Sequence, residues 1–111
     1  MSSTQKIPRE RLTEYFDAFS KRFLADSGSD SADVQVLDSG MGDQYIAEGV
    51  RLLGVTYDNK ENALEIQLEP GDHRVYEPAE VWTVEEDDGF VSAIEIIRAD
   101  SGKEIISVKR V

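Results

Sequence analysis

Hydrophobic residues near the start of the chain recur at the spacing of an α-helix. Pro8 suits the first helical position, where its missing N–H leaves no hydrogen bond unmade, and Glu10 adds a favourable charge to the first turn. The stretch IPRERLTEYFDAFSKRFL therefore predicts a helix over about 8–24 with charged residues on its wet side. The apolar stripe that should face the core repeats every three or four positions: Leu12, Tyr15, Phe16, Phe19 and Phe23.

From residue 32 onward apolar positions alternate with polar ones, which is the pattern of β-strands. ALEIQLE is the clearest case, because its leucines and isoleucine share one face while its Glu and Gln residues share the other. In RLLGVTYD the inward set is Leu53, Val55 and Tyr57, with Leu52 on the other side. DNKEN between these segments predicts a hairpin turn. ADVQVLD predicts another strand, and GDQYIAEG a short one over 42–49.

Three further strands are predicted near residues 81–86, 90–98 and 103–110, separated by the turn sequences EDDG and ADSG. The last two have apolar residues on both faces, including Ile97 and Ile105, so the second face should also be partly covered, with dimerisation as one way to cover it. The chain as a whole predicts an α+β fold in which one N-terminal amphipathic helix packs on an antiparallel, meander-like sheet of five to seven strands. Short connections favour pairing in sequence order.

DSGSDSAD, residues 26–33, is the segment most similar to a metal-binding loop. An EF-hand loop starting at Asp26 needs an oxygen ligand at the third position, Gly at the sixth and Glu at the twelfth, but the chain has Gly28, Ser31 and Leu37 there. We therefore expect a flexible acidic linker over 26–33, between the helix and the sheet. It lies within a single α+β domain over 7–111 that follows a disordered N-terminal tail over 1–6.

Composition and charge restrict the function. Hydrophobic residues make up 40% of the 111 residues, as expected of one folded domain, and the lack of cysteine excludes disulfides, thiolate catalysis and sulfur-ligated zinc. The net charge of -11 argues against binding to nucleic-acid phosphates or an anionic membrane surface. MSSTQK lacks the apolar core of a signal peptide, and no apolar run approaches the ~20 residues of a transmembrane helix, so we expect a cytoplasmic protein.

His73, the only histidine, could act as a general base, although a lone histidine in a loop or at the start of a strand is usually structural or merely exposed. Asp72 or Glu77 could orient it as a general base, but no nucleophile accompanies it in PGDHRVYEP. EEDD at 85–88 is more typical of a charged hairpin turn than of a cation site, and the chain has no glycine-rich phosphate loop. We therefore expect no catalytic residue, no bound metal and no cofactor, and a protein that is not an enzyme.

Four side chains are candidates for contact with a small ligand. Trp82 lies in a predicted strand, where a large aromatic residue is most often part of the core. Together with Tyr15, His73 and Tyr76 it could line a pocket between the helix and the sheet. The function that the sequence favours is a non-enzymatic protein-interaction domain, whose partner is an unknown protein or a second copy of the chain. A small-ligand-binding module and an acidic mimic of nucleic acid are the alternatives.

Four segments of the sequence together suggest a known family: KIPRERLTEYFDAFSKRF, YEPAEVWTV, EDDG and IEIIRADSGK. The chain resembles a bacterial family of small cytoplasmic proteins of unknown function, whose members share an IPRE opening, an amphipathic helix, a histidine-to-proline segment before a strand, and a closing hairpin with a D-x-G turn. The resemblance covers nearly all of residues 6–110. It implies an α+β fold and no particular reaction.

Overall fold

One α-helix and eight β-strands make up the part of the chain that the structure describes. The structure is a computed structural model that describes residues 2–25, 31–38, 40 and 42–109, with the backbone alone for residues 23–25. A 3-10 turn at Arg9–Arg11 leads into α1 (Leu12–Ala25). The strands are β1 (Ser3–Lys6), β2 (Ser31–Asp38), β3 (Gly42–Asp58), β4 (Ala63–Leu68), β5 (His73–Tyr76), β6 (Pro78–Glu85), β7 (Val91–Arg98) and β8 (Lys103–Lys109). The predicted α+β class is confirmed, but five to seven strands was too few.

The helix begins later than predicted, although its apolar stripe is as expected. The N–H of Ile7 donates to the carbonyl of Val81, which keeps the chain extended beside β6 up to Pro8, with φ -60 and ψ 149. A 3-10 turn then precedes α1, so Pro8 caps that turn instead of opening the α-helix. Phe16 and Phe19 are buried in the core together with Leu12, and Tyr15 packs against the core from a half-buried position. The side chain of Phe23 lies outside the described residues.

The strands are all antiparallel and lie in the order β1-β6-β7-β8-β2-β3-β4-β5. Strands β2 to β5 and strands β6 to β8 are two runs of sequence neighbours, as predicted. The prediction fails where the runs join, because β8 pairs with β2, and where β1 pairs with β6. The pairing of β1 with β6 satisfies backbone N–H and C=O groups that would otherwise stay unpaired on one edge of β6. The prediction of a disordered tail over 1–6 was therefore wrong for residues 3–6.

β3 is one long strand shared by two layers of sheet. Its residues up to Arg51 pair with β2, and those from Leu52 onward pair with β4. We call β1, β6, β7, β8, β2 and the first part of β3 the front layer, and the second part of β3, β4 and β5 the back layer. Buried apolar residues of both layers and of α1 form one cluster, including Ile94 and Ile106 of the front layer and Leu64 and Ile66 of the back layer.

A β-bulge in β3 reverses one predicted orientation. The pairing of β3 with β4 shifts between Leu52 and Gly54, which inserts an unpaired residue and interrupts the alternation of period two. Leu52 is consequently 0% exposed and Leu53 is 39% exposed. The sequence interpretation had Leu53 inside and Leu52 outside, and this was wrong. Val55 and Tyr57, beyond the bulge, are buried as predicted.

α1 covers an edge of β3 beyond the point where β2 ends. The Ser20 hydroxyl donates to the carbonyl of Val55 at 2.7 Å, and its oxygen accepts from the N–H of Val55 at 3.1 Å. A serine side chain thus satisfies both polar backbone groups of a buried strand residue. A Cβ on Gly54 would lie 3.4 Å from the Ser20 hydroxyl oxygen and 2.7 Å from Oε1 of Gln67, so glycine permits this close approach of helix and strand.

The acidic segment 26–33 divides between described and undescribed residues. Residues 26–30 of the predicted linker lie outside the described part of the chain. Ser31, Ala32 and Asp33 belong to β2, where Ala32 is buried in the core, so the linker prediction was wrong for these three residues. Among the described residues, the helix is neither long enough nor apolar enough to cross a bilayer.

Candidate functional site

The front layer has an outer face that α1 and the back layer do not touch. Strand alternation sends Thr83 inward, where its hydroxyl meets Tyr15 of α1, and sends its neighbour Trp82 outward. The back layer also meets the inner side, through His73. We call the opposite side of the front layer the outer face. Its apolar members are half-buried or exposed: Leu37, Tyr45, Trp82, Val84, Ala93, Ile97 and Ile105.

Strand register places these apolar residues in a band across the front layer, in which Glu95, Gln35 and Lys103 lie between them. Trp82 pairs with Glu95, Glu95 with Ile105, Ile105 with Gln35, and Gln35 with Tyr45, which forms one row across five neighbouring strands. Ile97 and Leu37 lie in the next row, on either side of Lys103. Strands lie about 4.8 Å apart, so the first row spans about 19 Å. Tyr45 at its end is 56% exposed.

Three ion pairs lie on the outer face, which also carries Asp43 opposite Leu37. Lys103 Nζ lies 2.8 Å from Oε1 of Glu95, Lys109 Nζ lies 3.7 Å from Oδ2 of Asp33, and Lys6 Nζ lies 3.9 Å from Oε1 of Glu80. These pairs join neighbouring strands, as cross-strand ion pairs do. Since the three lysines and three carboxylates cancel, the net charge of -11 is carried by the rest of the molecule.

A second cluster of polar side chains lies on the inner side, where the back layer meets β8. Nε2 of His73 lies 2.6 Å from Oε1 of Glu104, and Nη1 of Arg98 donates to Oε2 of the same carboxylate at 2.8 Å. Arg98 also donates through Nε to Asp100 at 3.0 Å, and its Nη2 lies 3.8 Å from Oδ2 of Asp38. We call these five residues the Glu104 cluster, because that carboxylate is 3% exposed and the others surround it.

The electrostatics of the Glu104 cluster favour the ionised carboxylate. Burial on its own raises the pKa of Glu104, but the hydrogen bonds and charges of His73 and Arg98 outweigh burial and hold that pKa below its ordinary value of 4.5. The hydrogen bonds that Asp100 accepts from the N–H of Gly102 and from Arg98 lower the pKa of Asp100. Arg98 lies against the backbone of Gly102, where an added Cβ would come within 2.0 Å of Nη2.

The Glu104 cluster connects the back layer to the front layer. Its histidine and carboxylate resemble the orienting half of a general-base site, but the carboxylate is buried and also accepts from Arg98, so the three side chains connect strands of both layers. The predicted orienting carboxylates are both exposed to solvent. Asp72 immediately precedes β5, and Glu77 immediately follows it. Among the described residues, no three His, Cys, Asp or Glu side chains are grouped so that they could hold a metal ion.

The four predicted ligand contacts lie in different places. Tyr15 is on the inner side, where its hydroxyl donates to Glu85 at 3.0 Å and lies 3.1 Å from the Thr83 hydroxyl, whereas Trp82 is on the outer face and donates to Glu80. Trp82 is therefore half-buried on the outer face, which corrects its expected place in the core. Tyr76 is exposed on β5 beside Arg74, 5.7 Å from ring centroid to guanidinium carbon, and His73 joins Glu104. Because Trp82 of β6 and Tyr15 of α1 lie on opposite sides of the front layer, they cannot line one pocket between helix and sheet.

Arg98 and Glu104 were missed by the sequence interpretation, although the pattern contained a signal. Arg98 is in phase with Ile94 and Ile96 on β7, and Glu104 is in phase with Ile106 on β8. A charged residue at a core-facing position of a strand needs a partner, because an unpaired buried charge is strongly unfavourable. Two such residues of opposite charge on neighbouring strands of a predicted hairpin therefore predict an ion pair between them. Their third partner, His73, is distant in sequence and gives no comparable signal.

Comparisons with known proteins place the chain in a family. Residues 3–111 match a family described as "Family of unknown function (DUF5335)". The chain belongs to this family. A protein of Aquifex aeolicus (strain VF5) named "Uncharacterized protein" is 37% identical over 108 residues, which cover 96% of this chain and 93% of the relative. No solved structure matches the chain. The predicted resemblance to a bacterial family of unknown function is confirmed, and the description of DUF5335 assigns no reaction.

Proposed function

We propose that this protein is a non-enzymatic protein-interaction domain and that it binds through the outer face of the front layer. The observation that carries the proposal is the apolar band there, which runs from Trp82 through Ile105 to Tyr45 on the side opposite α1. A patch of apolar side chains on the surface of a folded protein is typical of a binding site, and an aromatic residue at each end provides a large side chain of the kind that contributes most to binding.

The inner residues support an interaction domain better than an enzyme. His73, the side chain best suited to acid–base catalysis, bonds to a buried carboxylate that also accepts from Arg98. These three side chains join the two layers of the fold. A ligand module draws less support, because the predicted contacts Tyr15 and Trp82 are on opposite sides of β6. An acidic mimic of nucleic acid is disfavoured by the lysines that alternate with carboxylates on the outer face.

A three-bait capture experiment tests the proposal. The wild-type protein, Ile105→Lys and Leu53→Lys are immobilised separately and exposed to lysate of the source organism. Ile105→Lys puts a charge at the centre of the band, whereas Leu53→Lys puts the same charge on an exposed leucine at the β3 bulge, outside the band. We expect a binding protein, either a different chain or the same one, that wild type and Leu53→Lys retain and Ile105→Lys loses. Equal retention by all three baits contradicts the proposal.

A further inference from the structure

We infer that the edge of β6 binds an extended segment of another protein, and that β1 occupies this site as a displaceable cover. β1 pairs in register with β6, from Ser3 opposite Glu85 to Lys6 opposite Trp82. A strand edge recognises an added strand chiefly through backbone hydrogen bonds, while side chains set the specificity. The inference goes beyond the proposed function, because it concerns the backbone edge of β6 and not the apolar band of the outer face.

The hydrogen bond from the N–H of Ile7 to the carbonyl of Val81 fixes which residues of β1 bond to β6. In an antiparallel pair, alternate residues direct their N–H and C=O groups to the neighbouring strand. Gln5, two residues before Ile7, therefore bonds to Thr83, its register partner. Thr4 directs its backbone groups to the other edge of β1, where no described strand pairs with it.

β1 is held to the sheet without a buried side chain. All four of its residues are exposed, whereas Ile7, which follows them, is buried in the core. The side-chain contacts of β1 are polar and lie at the surface: Gln5 Nε2 donates to Glu85, and Lys6 Nζ lies 3.9 Å from Oε1 of Glu80. Exposed ion pairs contribute little, and terminal segments with few buried contacts open at low free energy. β1 should therefore leave β6 while Ile7 and the rest of the fold stay in place.

The contacts of β1 also define the segment that would replace it. Glu80 lies beside the Lys6 position, and Glu85 beside the Gln5 position. Basic residues at both positions of an added strand would pair with these carboxylates. A β-branched residue opposite Val84, which is half-buried, would add an apolar cross-strand contact. The occupant is therefore a basic, β-branched extended segment, and the net charge of -11 favours its approach.

A second copy of this chain is a poorer occupant of the β6 edge. Its β1 has the same four residues, so it offers no contact that the chain's own β1 lacks, and its association loses translational and rotational entropy. The attached β1, in contrast, acts at an effective concentration that is in the millimolar range for a short link. Only a segment that binds β6 more tightly than β1 does can replace it.

Hydrogen exchange measures the opening of β1 within a single strand. The alternation that directs the amide of Thr83 to β1 directs the amides of Trp82 and Val84 to β7. We expect the Thr83 amide to exchange at least about 10-fold faster than the other two, because only β1 has to leave. Exchange at Thr83 as slow as at Trp82 and Val84 would show that β1 opens only with the sheet, and would overturn the inference.

A matched pair of proline variants tests binding at the β6 edge. Gln5→Pro removes the N–H that bonds to β6, whereas Thr4→Pro removes one that faces the free edge, where proline is tolerated. The probe is a synthetic peptide of residues 2–6 that carries Thr4→Val and Gln5→Arg, and chemical shifts of the β6 amides report its binding. We expect Gln5→Pro to bind the probe at least about 10-fold more tightly than wild type, because the attached competitor is released. Thr4→Pro should bind it within about threefold of wild type.

Two controls separate the possible outcomes. A peptide of residues 2–6 with the natural sequence should bind Gln5→Pro more weakly than the probe does, and equal affinity would contradict a basic, β-branched occupant. Ile105→Lys, which disrupts the outer face, should bind the probe as wild type does, so failure of the proposed function and failure of this inference are distinguishable. The inference is overturned if folded Gln5→Pro binds the probe no more tightly than Thr4→Pro.

Discussion

His73 and Glu104 join the edge of the sheet to its centre. Nε2 of His73 on β5 lies 2.6 Å from Oε1 of Glu104 on β8, although β4, β3 and β2 separate these two strands in the sheet order. The sheet must therefore be folded over so that β5 reaches across the interior. A backbone hydrogen bond from the N–H of Ala99 to the carbonyl of Glu77 holds the same end of the fold. The two layers are thus connected by polar contacts at this end as well as by the shared core.

The stability of the protein should depend on pH through Glu104. Its pKa is lowered in the folded protein, so its ionisation stabilises the fold above the ordinary value of 4.5, and that contribution is lost as the pH falls through the folded pKa. Glu104→Gln should lower the free energy of unfolding by about 3 kcal/mol at pH 7, since it leaves Arg98 and His73 beside a neutral group. The difference from wild type should shrink as the pH falls below 4.5 and through the lowered pKa of Glu104 in the folded protein. Urea unfolding across this pH range measures it.

Glu65→Gln is the matched control for that experiment. Glu65 accepts from Arg74 at 2.8 Å, but it lies on the outward side of the back layer and is partly exposed to solvent. A partly exposed ion pair contributes about 1 kcal/mol or less. The role assigned to the Glu104 cluster would be contradicted if Glu65→Gln lowered the free energy of unfolding as much as Glu104→Gln does. It would also be contradicted if the stability of Glu104→Gln fell with decreasing pH in the same way as that of wild type.

Gly102→Ala should disrupt the Glu104 cluster without changing any charge. The new Cβ would lie 2.0 Å from Nη2 of Arg98, so the guanidinium must leave its present position, in which it bonds to Glu104. We expect a loss of about 2 kcal/mol in the free energy of unfolding, because a buried carboxylate then loses one of its charged partners. Gly71→Ala, where an added Cβ meets nothing within 4 Å, should be neutral or slightly stabilising.

A double-mutant cycle identifies the cause. In an Arg98→Met background the guanidinium is absent, so Gly102→Ala should be much less destabilising than in the wild-type protein. Equal effects in the two backgrounds would show that the alanine disturbs the turn itself and not the contact between Arg98 and Glu104.

Ser20→Ala should loosen the contact between α1 and β3. The Ser20 hydroxyl is the partner of both backbone groups of Val55, which is buried, so its removal leaves a buried N–H and C=O without their hydrogen bonds. We expect a loss of about 2 kcal/mol and faster hydrogen exchange at the Val55 amide. Ser92→Ala removes a hydroxyl that bonds to Glu86 near the surface and should lose less than about 0.5 kcal/mol. Unchanged exchange at Val55 would argue against the proposed edge contact.

Leu52→Ala and Leu53→Ala form a matched pair that tests the bulge in β3. The two residues are chemically identical and adjacent, but Leu52 is in the core and Leu53 is exposed. Truncation of a buried leucine costs about 3 kcal/mol, whereas truncation of an exposed one costs about 0.5 kcal/mol or less. Thermal or urea unfolding of the two variants compares them directly. The reverse ranking would mean that the strand continues without the bulge.

The helix and the strand hairpins were predictable because their signals are local. The apolar stripe of α1 and the alternation in ALEIQLE repeat within a few residues, and Leu12, Phe16 and Phe19 of that stripe are buried as expected. β1 and β5 were missed because STQK is entirely polar and HRVY has only one buried residue. What makes each of them a strand is a neighbour elsewhere in the chain, β6 for β1 and β4 for β5.

The candidate site was predictable only in part, for the same reason. The two apolar faces of the last strands were visible in the sequence through Ile97 and Ile105, and these residues lie on the outer face. The contribution of Tyr45 was not visible, because it depends on the register of β3 against β2. The partner of His73 was also not predictable. Neighbouring carboxylates such as Asp72 were the local candidates, whereas the fold brings in Glu104 from another layer.

The pairing of β2 with β8 determines when this protein can fold during its synthesis. Ala32 of β2 lies opposite Val108 of β8. β2 is synthesised early, but β8, one of its two neighbouring strands, is synthesised only after almost all the other described residues. Until then one flank of β2 has no strand beside it, and exposed strand flanks promote association between nascent chains. The front layer therefore cannot close until β8 has been synthesised, and its closure should be slow compared with formation of α1, because it joins strands that are far apart in the sequence.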